Sequence, residues 1–190
     1  VKVGLYFGSF NPIHIGHLII ASYIADLKIV DKVWFVVSPQ NPLKPSASLL
    51  NEYTRLHLVN LAVEEDNRLG VSDIEFKLPK PSYTIDTLTY LKEKYPQHDF
   101  FVIMGSDSLQ NLNKWKNYEQ ILHNYKIIVY KRPGYDIPSV QLNENIFIAD
   151  APLLDISSTI IRQRIKEKKS ILYMLHDKVR LEIENNNYYK

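Results

Sequence analysis

Two histidines three residues apart sit in Gly8-Ser9-Phe10-Asn11-Pro12-Ile13-His14-Ile15-Gly16-His17, directly after an apolar run, Val3–Phe7. Gly8 lets the backbone turn sharply and come close to a ligand. The helical pattern that follows, Leu18–Leu27, offers unpaired N–H groups and the positive end of a dipole, both suited to phosphate. At this spacing His14 and His17 project from one face of the first helical turn. There they can donate hydrogen bonds to phosphate oxygens and to charge that develops in phosphoryl transfer. The loop is neither a Walker A sequence nor a Gly-x-Gly-x-x-Gly dinucleotide turn. As a metal site the pair lacks a third ligand nearby, so no metal is assigned to it. A second phosphate candidate lies far down the chain, in Asp155-Ile156-Ser157-Ser158-Thr159-Ile160-Ile161-Arg162. Ser157 or Ser158 is a natural N-cap that leaves N–H groups and hydroxyls for an anion. Arg162 lies within reach of the same helix end and can fork onto phosphate oxygens. Taken alone, each stretch also reads as an ordinary capped helix.

Elements that could bring these residues together are visible in the apolar pattern. Val3–Phe7, Val33–Val37, Phe100–Met104, Ile127–Tyr130 and Ile146–Ile148 are nearly continuous apolar runs, as in parallel strands buried on both faces. Leu18–Leu27, Tyr53–Val63 and Ile85–Leu91 repeat apolar residues at helical spacing. The alternation predicts an α/β fold: a Rossmann-like, doubly wound parallel sheet, with a small helical extension over residues 156–190 that carries the second motif. No repeat or Gly/Ser linker divides the chain, so residues 1–190 read as one domain. Pro39–Ser48 and Gly134–Asn145 read as the long loops, and the polar end Glu184–Lys190 as a frayed terminus. In such sheets, ligands bind beyond the carboxyl ends of the strands, where strand order reverses.

The chain has 190 residues, of which 45% are hydrophobic and 23% charged, the balance of a globular protein rather than a disordered or collagen-like one. Lys+Arg at 23 against Asp+Glu at 21 leaves a net charge of +2, too little for nucleic-acid binding driven by the overall field. The absence of cysteine excludes disulfides, Cys-based zinc sites and thiol nucleophiles. Val1–Gly8 reads as a strand rather than a signal peptide, and no apolar run is long enough to span a bilayer, so the cytoplasm is the expected location.

The first loop resembles the His-x-Gly-His signature of the nucleotidyltransferase superfamily, here literally His-Ile-Gly-His. The second stretch resembles that superfamily's Ile-Ser-Ser-Thr-x-Ile-Arg motif. Pro81-Ser82-Tyr83-Thr84-Ile85-Asp86-Thr87-Leu88, Gly105-Ser106-Asp107, Lys114-Trp115-Lys116 and Tyr130-Lys131-Arg132-Pro133-Gly134 extend the resemblance over nearly the whole chain, to the bacterial nicotinate-nucleotide adenylyltransferases. That likeness implies AMP transfer from ATP to nicotinate mononucleotide, with Mg²⁺ arriving on ATP because no carboxylate cage is visible. It implies that His14 and His17 stabilise the transition state, while Arg162, Ser157, Ser158 and Thr159 hold the pyrophosphate. Gly8, Ser9, Phe10 and Gly16 line the nucleotide, Gly105 and Asp107 hold the adenosine ribose, and Arg132 lies at the nucleotide site. Tyr83, Thr84 and Trp115 bind the acceptor, with Thr84 read as the N-cap of its helix.

Two departures stand out. The family's Pro-Pro-His-Lys/Arg loop appears as Asn41-Pro42-Leu43-Lys44, leaving Lys44 to carry that loop's charge. The aromatic that usually follows the stacking tryptophan is Lys116, whose ammonium could pair with the nicotinate carboxylate or simply be solvated. The alternatives are pantetheine-phosphate adenylyltransferase, which shares the phosphate motifs, and a non-catalytic adenine-nucleotide sensor. The expected partners are small molecules, without nucleic acid or membrane and with room for a homo-oligomer.

Overall fold

The apolar runs stack into one sheet of six parallel strands: β1 (Lys2–Gly8), β2 (Lys32–Val37), β3 (Leu69–Ser72), β4 (Asp99–Gly105), β5 (Lys126–Tyr130) and β6 (Ile146–Ala149). The computed structural model describes residues 1–40, 48–137, 144–152 and 154–190. The strand order is β3-β2-β1-β4-β5-β6, so the direction of winding reverses between β1 and β4. A crevice therefore opens where those two neighbours end, at Gly8 and Gly105.

Each central strand is apolar on both faces because each face meets helices. Tyr6, Phe35, Ile103 and Ile128 point into one core layer, under α1 (Ile15–Asp26), α2 (Glu52–Val63), α6 (Ser158–Lys166) and α7 (Asp177–Asn186). Leu5, Val36, Val102 and Val129 point into the other, under α3 (Thr84–Lys94), α4 (Ser106–Gln110) and α5 (Tyr118–Asn124). The period-2 alternation is intact, but both halves of it are hydrophobic.

The five predicted strands are present within a residue or two. β3 lay outside the pattern because Leu69-Gly70-Val71-Ser72 is short and only half-buried at a sheet edge, with a glycine and a serine among its four residues. The terminus is a correction to the sequence reading. α7 continues to Asn186, and Tyr188 and Tyr189 fold back against the core under α2, so Glu184–Lys190 does not fray. Polar asparagines hid two aromatic rings that have apolar surface to cover. Most of the Pro39–Ser48 loop, Lys44 included, and residues 138–143 lie outside the described residues.

Candidate active site

α1 begins at Ile15, three residues before the apolar periodicity starts, so His14 is its N-cap and His17 its third residue. The two imidazoles therefore stack, with centroids 3.7 Å apart and planes 25° from parallel. The His14 backbone N–H donates to His17 Nδ1 at 3.2 Å, which puts the proton of the neutral His17 ring on Nε2. His14 is buried, and its Nδ1 has no hydrogen-bond partner among the described residues. Burial first, and the charge of Arg132 second, push its pKa down to about 4, so it is a neutral imidazole at pH 7.

Ahead of the histidines, Phe10 takes a left-handed backbone conformation (φ 45°) and turns its ring under Gly8. A Cβ on Gly8 would meet that ring at 2.7 Å, so this glycine is required by close approach. A Cβ on Gly16 would meet Ile156 Cγ2 at 2.7 Å and the His14 ring at 3.1 Å. Hence the glycine of the first motif is the seat on which the second motif packs.

Hydrogen bonds complete that junction. Arg162 Nη1 donates to the Asn11 carbonyl at 2.7 Å, and Ser158 Oγ donates to the Pro12 carbonyl at 2.8 Å. Ser157 is the N-cap of α6, its Oγ accepting from the Ile160 N–H at 3.3 Å, and Arg162 Nη2 reaches Thr159 Oγ1 at 3.3 Å. The hydroxyls expected to stay free for an anion are thus partly engaged in joining the two motifs. Across the crevice, Asp107 Oδ2 pairs with Arg132 Nη1 at 3.3 Å, while its other oxygen, Oδ1, is buried without a hydrogen-bond partner among the described residues. A Cβ on Gly105 would strike both Asp107 and Arg132. Asp107 is the second residue of α4, whose N-cap is Gly105, so it is not a helix cap.

At the other end, Tyr83 rather than Thr84 is the N-cap of α3, and no side chain among the described residues caps that helix. The neighbouring hydroxyls are committed elsewhere: Ser82 Oγ at 2.7 Å and Thr87 Oγ1 at 3.0 Å both donate to the buried carboxylate of Glu75. Burial pushes the Glu75 carboxyl up, partly offset by hydroxyl donors that include Ser38. Trp115 follows a 3-10 turn, Leu112–Lys114, and packs against the core layer beneath α3 and α5. Lys116 Nζ lies 2.8 Å from Asp86 Oδ2 and 4.9 Å from the centre of the Tyr83 ring.

All the sequence-predicted site residues within the described regions line one cavity of about 770 Å³ at the strand switch. Lys44 lies outside those regions. Arg55 and Glu75 were missed. Arg55 is fully buried on α2, where it donates to the carbonyls of Leu50, Ser9, Ser38 and Pro39. Its signal was available: Arg55 shares a helix face with Leu58 and Val59, and a lone cation on an apolar face needs partners. Glu75 stands likewise between Ile74 and Phe76.

A strand switch with two phosphate-type motifs fastened together defines a nucleotidyltransferase, and the chain belongs to the cytidylyltransferase-like family, whose model matches residues 5–164. It is 53% identical to a protein of Flavobacterium psychrophilum named as a probable nicotinate-nucleotide adenylyltransferase, over 100% of both chains. A Bacteroides fragilis protein of the same name is 48% identical over 94% of this chain and 89% of its own. The fold matches that of Plasmodium falciparum nicotinic acid mononucleotide adenylyltransferase complexed with NaAD, with a TM-score of 0.83, 20% identity and coverage of 99% of this chain and 97% of that one.

Proposed function

We propose that the cavity transfers AMP from ATP to nicotinate mononucleotide, releasing pyrophosphate and forming nicotinate adenine dinucleotide for NAD biosynthesis. The observation that carries this reading is the junction of the two motifs at the strand switch, in a chain about half identical along its whole length to relatives named for that enzyme. An oxygen of the acceptor's 5′-phosphate attacks the α-phosphorus of ATP, the α–β bridging P–O bond breaks, and its electrons leave with pyrophosphate. The nucleophile is already ionised at neutral pH, so the protein supplies alignment and charge stabilisation rather than a base.

In this reading His17, with its proton on Nε2, and the neutral His14 donate to the phosphate oxygens as charge shifts toward the leaving group. Arg162 and the Ser157–Thr159 turn hold the pyrophosphate, and Lys44 screens the two anions. Gly8, Ser9, Phe10 and Gly16 let the nucleotide lie against backbone, Gly105 and Asp107 take the ribose hydroxyls, and Arg132 borders the nucleotide. Tyr83, Thr84 and Trp115 receive the pyridine ring and its carboxylate, and Lys116 favours the acid over the amide. Mg²⁺ enters this reading as part of the substrate Mg-ATP. Residues 1–190 act as one nucleotidyltransferase domain, with residues 156–190 as its C-terminal helical part. Nucleic acid and membrane have no part in this reaction, which we place in the cytoplasm; among the described residues no helix is long and apolar enough to cross a membrane.

Pyrophosphate release from Mg-ATP, measured in parallel with nicotinate mononucleotide, nicotinamide mononucleotide and phosphopantetheine, tests the proposal. A strong preference for the nicotinate substrate is expected. Release with phosphopantetheine alone overturns the acceptor, and ATP binding without release from any of the three overturns catalysis.

A further inference from the structure

Phe10 holds a left-handed backbone conformation (φ 45°), which costs free energy in a residue other than glycine and persists only where the surroundings fix it. The fixing contacts lie on both flanks. Before Phe10, the Ser9 carbonyl accepts from Arg55 Nη1, part of a fully buried guanidinium. After it, the buried Asn11 side chain accepts the Leu50 N–H on Oδ1 at 3.1 Å and donates from Nδ2 to the Ser48 carbonyl at 2.9 Å. The two flanks meet at one residue, because Arg55 Nε donates to the Leu50 carbonyl at 2.8 Å. Ser9, Arg55, Leu50 and Asn11 therefore close a ring of hydrogen bonds around the turn. The rest of the Arg55 fork takes the Ser38 and Pro39 carbonyls after β2, at 2.9 and 3.1 Å. A guanidinium carries its donors in a rigid plane, so these carbonyls cannot shift independently of one another.

The ring sets the direction of one donor. In a trans peptide the carbonyl and the following N–H point to opposite sides. Because the Ser9 carbonyl turns inward to Arg55 on α2, the Phe10 N–H turns the other way, where Ser9 and Phe10 border the cavity. No described residue accepts a hydrogen bond from that N–H.

We infer that Arg55 and Asn11 are positioning residues for the transfer, holding the turn at Phe10 so that its N–H is aimed at a phosphate of the bound nucleotide. The inference rests on the reading of this cavity as the place where ATP meets nicotinate mononucleotide. Both residues act through the backbone of the loop. A donor fixed before the reaction needs no reorganisation as charge develops, and a misplacement of about 1 Å costs on the order of 10²-fold in rate. Apolar packing under the turn would let Ser9 and Asn11 move apart, whereas a fully satisfied buried polar network fixes them.

Two variants and one spectrum test this. Arg55→Lys keeps the charge but replaces the fork with a point donor that cannot hold the Ser9 and Leu50 carbonyls in the same geometry. It should lower kcat about 10- to 100-fold, while KM for nicotinate mononucleotide stays within about threefold of wild type. Asn11→Ala opens the ring on its other side and should cost about tenfold in kcat. Asn11→Asp, which keeps an acceptor for the Leu50 N–H, should recover part of that loss. In the wild-type protein, α,β-methylene-ATP with Mg²⁺ should move the Phe10 amide proton downfield in the NMR spectrum, and the folded variants should show a smaller shift. A Phe10 amide that does not respond in wild type overturns the inference, whether or not the variants fold. So does wild-type kcat in either folded variant, or a loss that disappears on cooling, which would mark Arg55 and Asn11 as supports of stability alone. The wild-type assay with nicotinate mononucleotide tests the functional reading separately. Inactivity there means that reading has failed, whereas an active wild type with unaffected variants sinks only the inference.

Discussion

The two ends of the cavity are built differently. At the phosphate end, the first and second motifs are locked by contacts between buried or half-buried atoms: Gly16 against Ile156, Arg162 on the Asn11 carbonyl, Ser158 on the Pro12 carbonyl. At the acceptor end, the most distinctive cation, Lys116, is about half exposed and rests on an equally exposed carboxylate, Asp86. An exposed pair of this kind contributes little to stability, so its partners can exchange at small cost. The junction of the two motifs is thus held by geometry that tolerates almost no change, and the Lys116 end by side chains that can be altered without disturbing the fold.

The largest effect should follow from removing a donor at the rigid end. His17→Ala should lower kcat by about 10²–10³, the usual cost of one preorganised donor, with a far smaller change in ATP affinity. Near-normal turnover would break the comparison at its stronger side. His14 offers a second handle at the same end. Its folded-state pKa is about 4, below the ordinary 6.5, so the unfolded chain takes up the proton first as pH falls. Stability from this group is fully present above pH 6.5 and is lost as pH drops from 6.5 through 4, by about 3 kcal/mol in total. His14→Gln should flatten that part of a Tm-against-pH curve, and an unchanged curve would mean that His14 is not held neutral by burial.

Gly16→Ala should cost about 1–3 kcal/mol in stability through overpacking against Ile156 and the His14 ring, read as a lower Tm. A variant as stable as wild type would show that the junction can yield. The smallest effect belongs to the flexible end. Lys116→Ala should lower kcat/KM for nicotinate mononucleotide about three- to tenfold more than for the amide analogue, with stability almost unchanged. Equal losses on both acceptors would assign Lys116 to its Asp86 contact alone.

Legibility in the sequence followed the same division. Strand positions and both phosphate motifs could be read because continuous apolar runs and the pairing of glycine with histidine, or serine with arginine, are local signals. The helix caps were read less well. Thr84 looked like an N-cap, yet Tyr83 holds that position, because the hydroxyls around it are drawn to a carboxylate from another part of the chain. Ser158 looked free for an anion, yet it reaches back 146 residues to the Pro12 carbonyl. Side chains of this type take whichever partner the fold brings near, and that partner is not a neighbour in sequence.

By itself the sequence determined the α/β alternation, the absence of thiol chemistry and the two motifs that mark phosphate transfer. Each follows from residue type and short-range spacing. Tertiary structure alone decided that the motifs meet between β1 and β4, that His14 is buried and neutral, and that Arg55 gathers the Ser9 and Ser38 carbonyls while Glu75 gathers the Ser82 and Thr87 hydroxyls. Those features depend on burial and on contacts between distant segments, and both arise only when the strands have taken their order in the sheet.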